Sequence, residues 1–104
     1  MNSPIQTSGT VYILTNKSHT VLYTGVTSHL FLRIQQHISK HFSESFTSKY
    51  NVTKLVYYRT FETIELAIQE EKRIKAGNRQ AKINLINTVN PEWNDLWLLE
   101  VSKW

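Results

Sequence analysis

No cysteine occurs in the 104 residues, so disulfides, thiolate metal sites and a cysteine nucleophile are all excluded. That absence fits a reducing compartment. Glycine appears only at positions 9, 25 and 77, too few to form a phosphate-binding loop or a dinucleotide fingerprint. A Gly-x-Ser-x-Gly elbow is also missing, which disfavours serine-based hydrolysis together with nucleotide-dependent chemistry. No apolar run approaches the ~18 residues needed to span a bilayer. The opening residues, MNSPIQTSGT, show neither the basic start nor the apolar middle of a secretory signal. A cytoplasmic protein that does not engage a membrane is therefore expected.

What is present suffices for one small packed domain. Hydrophobic residues make up 40% of the chain, enough for folding to outweigh chain entropy. Twelve Lys and Arg against eight Asp and Glu leave a net charge of +4, which suits a polyanionic partner such as nucleic acid. Lys72, Arg73, Lys75, Arg79 and Lys82 concentrate five of the twelve cations in one short run. They are candidate DNA contacts, although basic residues also favour helix C-termini for electrostatic reasons alone.

The segments TVYILTN (10–16) and TVLYTGV (20–26) alternate and are rich in β-branched and aromatic residues, so both read as strands, joined by a turn at KSH. In the first, Tyr12 and Leu14 share a face; in the second, Tyr23 and Gly25 do. TSHLFLRIQQHISKHF (27–42) predicts a helix capped by Thr27 or Ser28, with an apolar stripe of Leu30, Phe31, Ile34 and Ile38. SESFTSKYN reads as a polar loop, and KLVYYRTF (54–61) as a third strand. TIELAIQEEKRIKAG predicts a second helix capped by Thr63 and stopped at Gly77, and RQAKINLINTV (79–89) a third, ending before Asn90-Pro91. The tail holds all three tryptophans, and its apolar positions are expected to dock on the core. The order is β-β-α-β-α-α, an α+β fold with a small three-stranded sheet covered by helices. Residues 1–8 form an expected N-terminal arm, 9–97 the domain, and 98–104 a C-terminal tail.

Three features admit a functional reading beside a structural one. Glu71 falls near the centre of the apolar side of the second helix, among Ile64, Ala67, Ile68 and Ile74, whereas Glu70 points well away. A carboxylate placed there is costly unless it is paired, hydrogen-bonded or bound to a cation. Arg33 and His37, four apart, are neighbours at the edge of the first helix's stripe, where side chains can face a cleft or simply solvent. Tyr12 and Tyr23 flank a hairpin and can be sheet residues or site residues. His37 and His41 have the spacing of paired metal ligands, but no third ligand is evident and zinc is disfavoured. His19 and His29 read as surface residues.

Taken together, TVY at 10–12, YTG at 23–25, Arg33 and His37 in RIQQH, Glu71 in EEKRIK and Asn90 in NPEW resemble the GIY-YIG nuclease superfamily, most closely its small single-domain bacterial members. The resemblance covers about residues 9–97. It departs from the usual signatures at Thr10, in place of glycine, and at Thr24, in place of an apolar residue, while Asn84 and Asn87 lie near Asn90. The resemblance implies a three-stranded antiparallel sheet flanked by helices and an endonuclease that hydrolyses DNA phosphodiester bonds with one divalent ion, Mg²⁺ or Mn²⁺. It further implies Glu71 as metal ligand, Arg33 as the grip on the scissile phosphate, and Tyr12 and Tyr23 about the attacking water with His37 assisting. Gly25 and Asn90 are motif positions.

One carboxylate is enough for magnesium when waters and phosphate complete its shell, and arginine suits bidentate contact with phosphate. The general base stays open at this point. A tyrosine titrates near ~10 unless cations such as Arg33 lower it, whereas histidine titrates near ~6.5. Rival readings are a nucleic-acid-binding module on the same fold, non-catalytic or dependent on a protein partner for targeting, and a protein-interaction domain built on the tryptophan-rich tail. Repair, recombination and mobile-element roles are all compatible with the resemblance.

Overall fold

A computed structural model describes residues 8–41 and 44–104. All but one residue of the expected N-terminal arm lies outside this range. Three strands, β1 (Gly9–Thr15), β2 (Leu22–Thr27) and β3 (Lys54–Phe61), form one antiparallel sheet in the order β2-β1-β3. The helices are α1 (Leu30–Ile38), α2 (Phe46–Lys49), α3 (Ile64–Ala76), α4 (Arg79–Val89) and α5 (Leu96–Leu99), followed by a 3-10 turn at Val101–Lys103. The α+β class and the antiparallel three-stranded sheet are as expected. Two short helices, α2 and α5, are additions.

Strand β1 is central, and all seven of its residues are buried. Its alternation therefore feeds two cores. Val11 and Ile13 face Ala67 and Ile74 of α3 and Ile86 of α4. Tyr12 and Leu14 face Leu30 and Ile34 of α1, with Val52, Leu55 and Val101. The sheet thus lies between helical layers. Gly9 sets the approach of α3: a Cβ there would stand 2.7 Å from Ile64 Cδ1 and 2.8 Å from both Ala67 Cβ and Ile64 Cα.

Helix boundaries differ from expectation where local hydrogen bonding outranks periodicity. Helix α1 starts later, at Leu30, with His29 rather than Thr27 or Ser28 at its N-cap; Thr27 Oγ1 instead accepts from the His29 amide at 3.0 Å. It also stops early, at Ile38. Lys40 adopts a left-handed φ of 55°, the Lys40 amide donates to the His37 carbonyl, and the His41 amide donates to the Gln36 carbonyl. This is a Schellman closure with lysine where glycine is usual, so the ordinary stop signal was lacking. His41 consequently lies beyond the helix that carries His37, ending the paired-ligand geometry.

The stretch read as a loop contains α2. Ser45 Oγ caps it by accepting from the Ser48 amide at 3.3 Å, and Asn51, with φ 55°, closes it. Gly77 does stop α3, but in an extended conformation (φ −77°) that leads straight into Asn78, the N-cap of α4. The hairpin turn is wider than KSH: Asn16 Oδ1 accepts from the Thr20 and Val21 amides at 2.8 and 3.1 Å, and His19 is left-handed. His19 is not a bare surface residue, since its Nε2 lies 2.9 Å from Lys54 Nζ and its ring packs at a tilt on Trp93. In the tail, Trp93 and Trp97 dock on the two cores and Val101 is fully buried. Leu98, Leu99 and Trp104 remain exposed, contrary to expectation.

Asn90 is buried and ends α4. Its Nδ2 donates to the Val56 carbonyl of β3 at 3.0 Å and to the Asn94 carbonyl at 2.9 Å, and its Oδ1 accepts from the Asn94 amide at 3.0 Å. One side chain thereby joins α4, β3 and the tail. Asn90→Ala would leave these backbone groups unpaired, at a cost of about 2–3 kcal/mol. Thermal unfolding followed by circular dichroism should show a midpoint about 10 °C or more below wild type; an unchanged midpoint would remove Asn90 as a structural tie.

Candidate active site

The site forms where Tyr12 crosses the edge of the sheet. In the β1–β2 register Tyr12 stands opposite Gly25 and Leu14 opposite Tyr23, so both phenols emerge on one face, their ring centroids 6.3 Å apart. The Tyr12 ring lies over Gly25 of the edge strand β2. A Cβ at Gly25 would come within 2.4 Å of both Cζ and the hydroxyl oxygen of Tyr12. The absent side chain is therefore the space in which the phenol lies.

Helix α1 brings Arg33 and His37 to this position. Leu30 and Ile34 anchor its buried stripe, and the residues beside that stripe turn toward the β2 edge. The Tyr12 hydroxyl and His37 Nε2 are 3.0 Å apart, and His37 Nδ1 lies 2.9 Å from Thr47 Oγ1 of α2. The His37 ring centroid is 5.7 Å from those of Tyr12 and of Tyr23. Tyr23, Arg33, Gln36, His37, Ser45, Phe46 and Thr47 line a cleft of about 230 Å³. An aromatic row leads out of it: Tyr23 stacks on Phe46, and Phe46 meets the exposed Tyr50 in a tilted contact.

Helix α3 packs on the opposite face; Glu71 is not among the residues lining the cleft, and its charge acts on Tyr12 as the smallest of several causes. Burial, the chief cause, raises the Tyr12 pKa; the charges of Tyr23 and Glu71 add to it, while Arg33 opposes by its charge and by hydrogen bonding. Glu71 is only 15% exposed at its side chain and pairs with Lys75 Nζ at 3.0 Å. Glu70 does not project freely into solvent as its helical angle suggested. Its side chain is similarly covered and holds Arg73 through two bonds of 2.7 and 2.6 Å.

The basic run is largely committed to local contacts. Beyond those two ion pairs, Arg79 Nη2 donates to the His19 carbonyl at 3.0 Å and Lys82 Nζ donates to the Gly77 carbonyl. Lys72 is exposed on α3. Among the described residues no group of three or more His, Cys, Asp or Glu is placed to hold a metal. A single mostly buried carboxylate fits a hard ion that keeps waters and takes substrate oxygens, and does not fit zinc.

A model of the GIY-YIG catalytic domain matches residues 8–84. The chain belongs to the GIY-YIG family. It is 34% identical over 82 residues to a UPF0213 protein of Syntrophus aciditrophicus, spanning 79% of this chain and 92% of that relative. The fold resembles the solution NMR structure of a UPF0213 protein from Bacillus halodurans, with a TM-score of 0.56, 26% identity, and coverage of 89% of this chain and 97% of that one. The GIY-YIG domain is of nuclease type, with nucleic acid as its substrate class. Among the described residues no helix is long and apolar enough to cross a membrane.

Within this GIY-YIG chain the two departures from the usual signatures have different explanations. Thr10 is accommodated because the close approach to α3 occurs at Gly9, and its hydroxyl lies 2.9 Å from that of Thr60. Thr24 is buried and its hydroxyl has no partner among the described residues; nothing in the structure explains it. Sequence reading missed Thr47 and Phe46, since they sit in a polar stretch with no periodicity. Ser45 followed by Asn51 six residues later was the available sign of a capped helical turn.

The GIY-YIG site also corrects the expectation for its bases. Arg33 does not bring Tyr12 into the neutral range, because burial outweighs it. His37 does not titrate near ~6.5. Burial first, then the Arg33 charge, hold its imidazole down at about 4. The unfolded chain then takes up this proton before the folded one as pH falls. Stability therefore decreases between about pH 6.5 and about pH 4, and this contribution levels off below. His37→Gln should flatten that part of the midpoint-against-pH curve. Parallel curves for wild type and variant would disprove the assignment.

Proposed function

We propose that the protein is a metal-dependent endonuclease that hydrolyses DNA phosphodiester bonds, with a role in DNA repair or recombination. The observation that supports this reading is the meeting of Tyr23, Arg33 and His37 at one cleft, with the buried Tyr12 hydroxyl 3.0 Å from His37 Nε2 and the Glu71 charge felt at Tyr12. Sheet residues chosen for packing alone have no need of two opposite charges beside a buried phenol.

Arg33 lines the cleft and would hold two phosphate oxygens. Glu71 would hold one Mg²⁺ or Mn²⁺, which when bound withdraws charge from the phosphate and acidifies water. Tyr12 keeps its proton at neutral pH and points it at His37 Nε2, leaving lone-pair density on its oxygen for the attacking water. The water's proton passes to Tyr12 as the Tyr12 proton passes to His37. The water oxygen bonds to phosphorus as the P–O ester bond breaks, and the leaving oxygen takes a proton from solvent to become a hydroxyl. An anion on Arg33 offsets one of the two causes of the low His37 pKa, so substrate makes His37 a better proton acceptor. Phe46 and Tyr50 offer ring faces next to the cleft on which bases can stack.

The test incubates purified protein with supercoiled, branched and single-stranded DNA, with Mg²⁺ or Mn²⁺ and with chelator. Cutting that needs the divalent ion is expected, with binding that weakens as salt rises. Absence of cutting on every substrate would overturn the reading.

A further inference from the structure

We infer that Thr47 is a positioning residue that fixes His37 in the tautomer carrying its proton on Nδ1, so that Nε2 can accept only from Tyr12. This inference rests on the proposed role of His37 for its catalytic consequence, though not for its geometry. Both ring nitrogens are engaged, Nε2 with the Tyr12 hydroxyl at 3.0 Å and Nδ1 with Thr47 Oγ1 at 2.9 Å. Near neutral pH the imidazole is uncharged, so it carries one proton in one of two places.

The burial of Tyr12 chooses between them. Its hydroxyl is wholly buried, keeps its proton at neutral pH and has His37 Nε2 as its hydrogen-bond partner among the described residues. Its own proton is best accommodated by a bare Nε2, which places the imidazole proton on Nδ1 and makes Thr47 Oγ1 the acceptor. The Thr47 hydroxyl can pass its proton toward Ser45 Oγ, 3.3 Å away, and Ser45 Oγ in turn caps α2. The opposite arrangement would leave the buried phenol proton without the partner that His37 provides. Thr47 is 2% exposed, so water does not readily replace its hydroxyl. The cap of a four-residue helix thus sets the direction of a proton path that begins at the attacking water and ends at His37.

The experiment records long-range ¹H–¹⁵N correlations of the histidine rings in the ¹⁵N-labelled full chain, alongside DNA cleavage rates. In wild type, His37 should bear its proton on Nδ1. Thr47→Val keeps the volume and removes the acceptor, so the Nδ1 preference should disappear and kcat should fall about tenfold or more, with KM little changed. Thr47→Ser should restore both. An Nε2–H tautomer in wild type, or an unaltered tautomer in Thr47→Val, would overturn the inference. Should Thr47→Val fail to fold, the wild-type tautomer and Thr47→Ser decide the matter. The expected tautomer in a chain that cuts no DNA would count against the endonuclease reading and leave this one intact.

Discussion

Glu71→Ala is expected to lower metal-dependent DNA cleavage by at least about 10²–10³-fold, the scale associated with losing one preorganised group that stabilises charge in a transition state. The fold should survive. The carboxylate is mostly covered, and its pairing with the half-exposed Lys75 is an i, i+4 contact of about 0.3–0.5 kcal/mol. Removing it also relieves the cost of holding a charge away from water, and alanine is a better helix former. The thermal midpoint should therefore stay close to wild type while activity disappears. Glu71→Gln, which keeps shape and loses charge, should be as inactive as Glu71→Ala. Cleavage that persists undiminished in both variants would show that the metal is held elsewhere or that the activity is a contaminant.

Gly25→Ala is expected to damage both stability and activity, although strand propensity alone predicts a slight gain for replacing glycine. The new methyl would stand 2.4 Å from the Tyr12 ring and hydroxyl, and Tyr12 is wholly buried with no free side on which to move. Restoring ordinary contact requires a shift of roughly 1 Å, in an interior that packs as closely as a crystal. Overpacking of this kind costs about 1–3 kcal/mol. A displacement of that size at a reacting group costs about 10²-fold in rate. The measurement pairs thermal unfolding with cleavage under single-turnover conditions. Wild-type behaviour in both would mean that the phenol does not depend on the gap at Gly25.

The sequence made much of this legible, for identifiable reasons. Strand β3 and helix α4 coincide with their expected ranges because turn or capping residues bracket an unbroken pattern in each. The shared face of Tyr12 and Tyr23 follows from strand alternation plus a hairpin register. Glu71 could be singled out because a carboxylate interrupts an apolar helix side. What escaped was set by interactions that leave little mark on composition. Lys40 closes α1 in a conformation that its type does not advertise, and α2 is too short for periodicity to register. The titration of His37 and Tyr12 was misjudged because burial depends on neighbours far along the chain. Arg33 was visible as a cation, but the depth at which its partner phenol lies was not.

Tyr12 belongs to the innermost strand, whereas the opposing wall of the cleft is a single helical turn held by one serine cap and one left-handed asparagine. The two sides consequently differ in stiffness. Tyr12 is mounted on the part of the chain least able to yield, and adaptation to differently shaped strands falls to the exposed rings of the compliant side. Changes at the exposed residues of 44–51, such as Phe46 and Tyr50, can therefore retune which nucleic acid is accepted as long as Thr47 and its Ser45 neighbour keep their hold on His37.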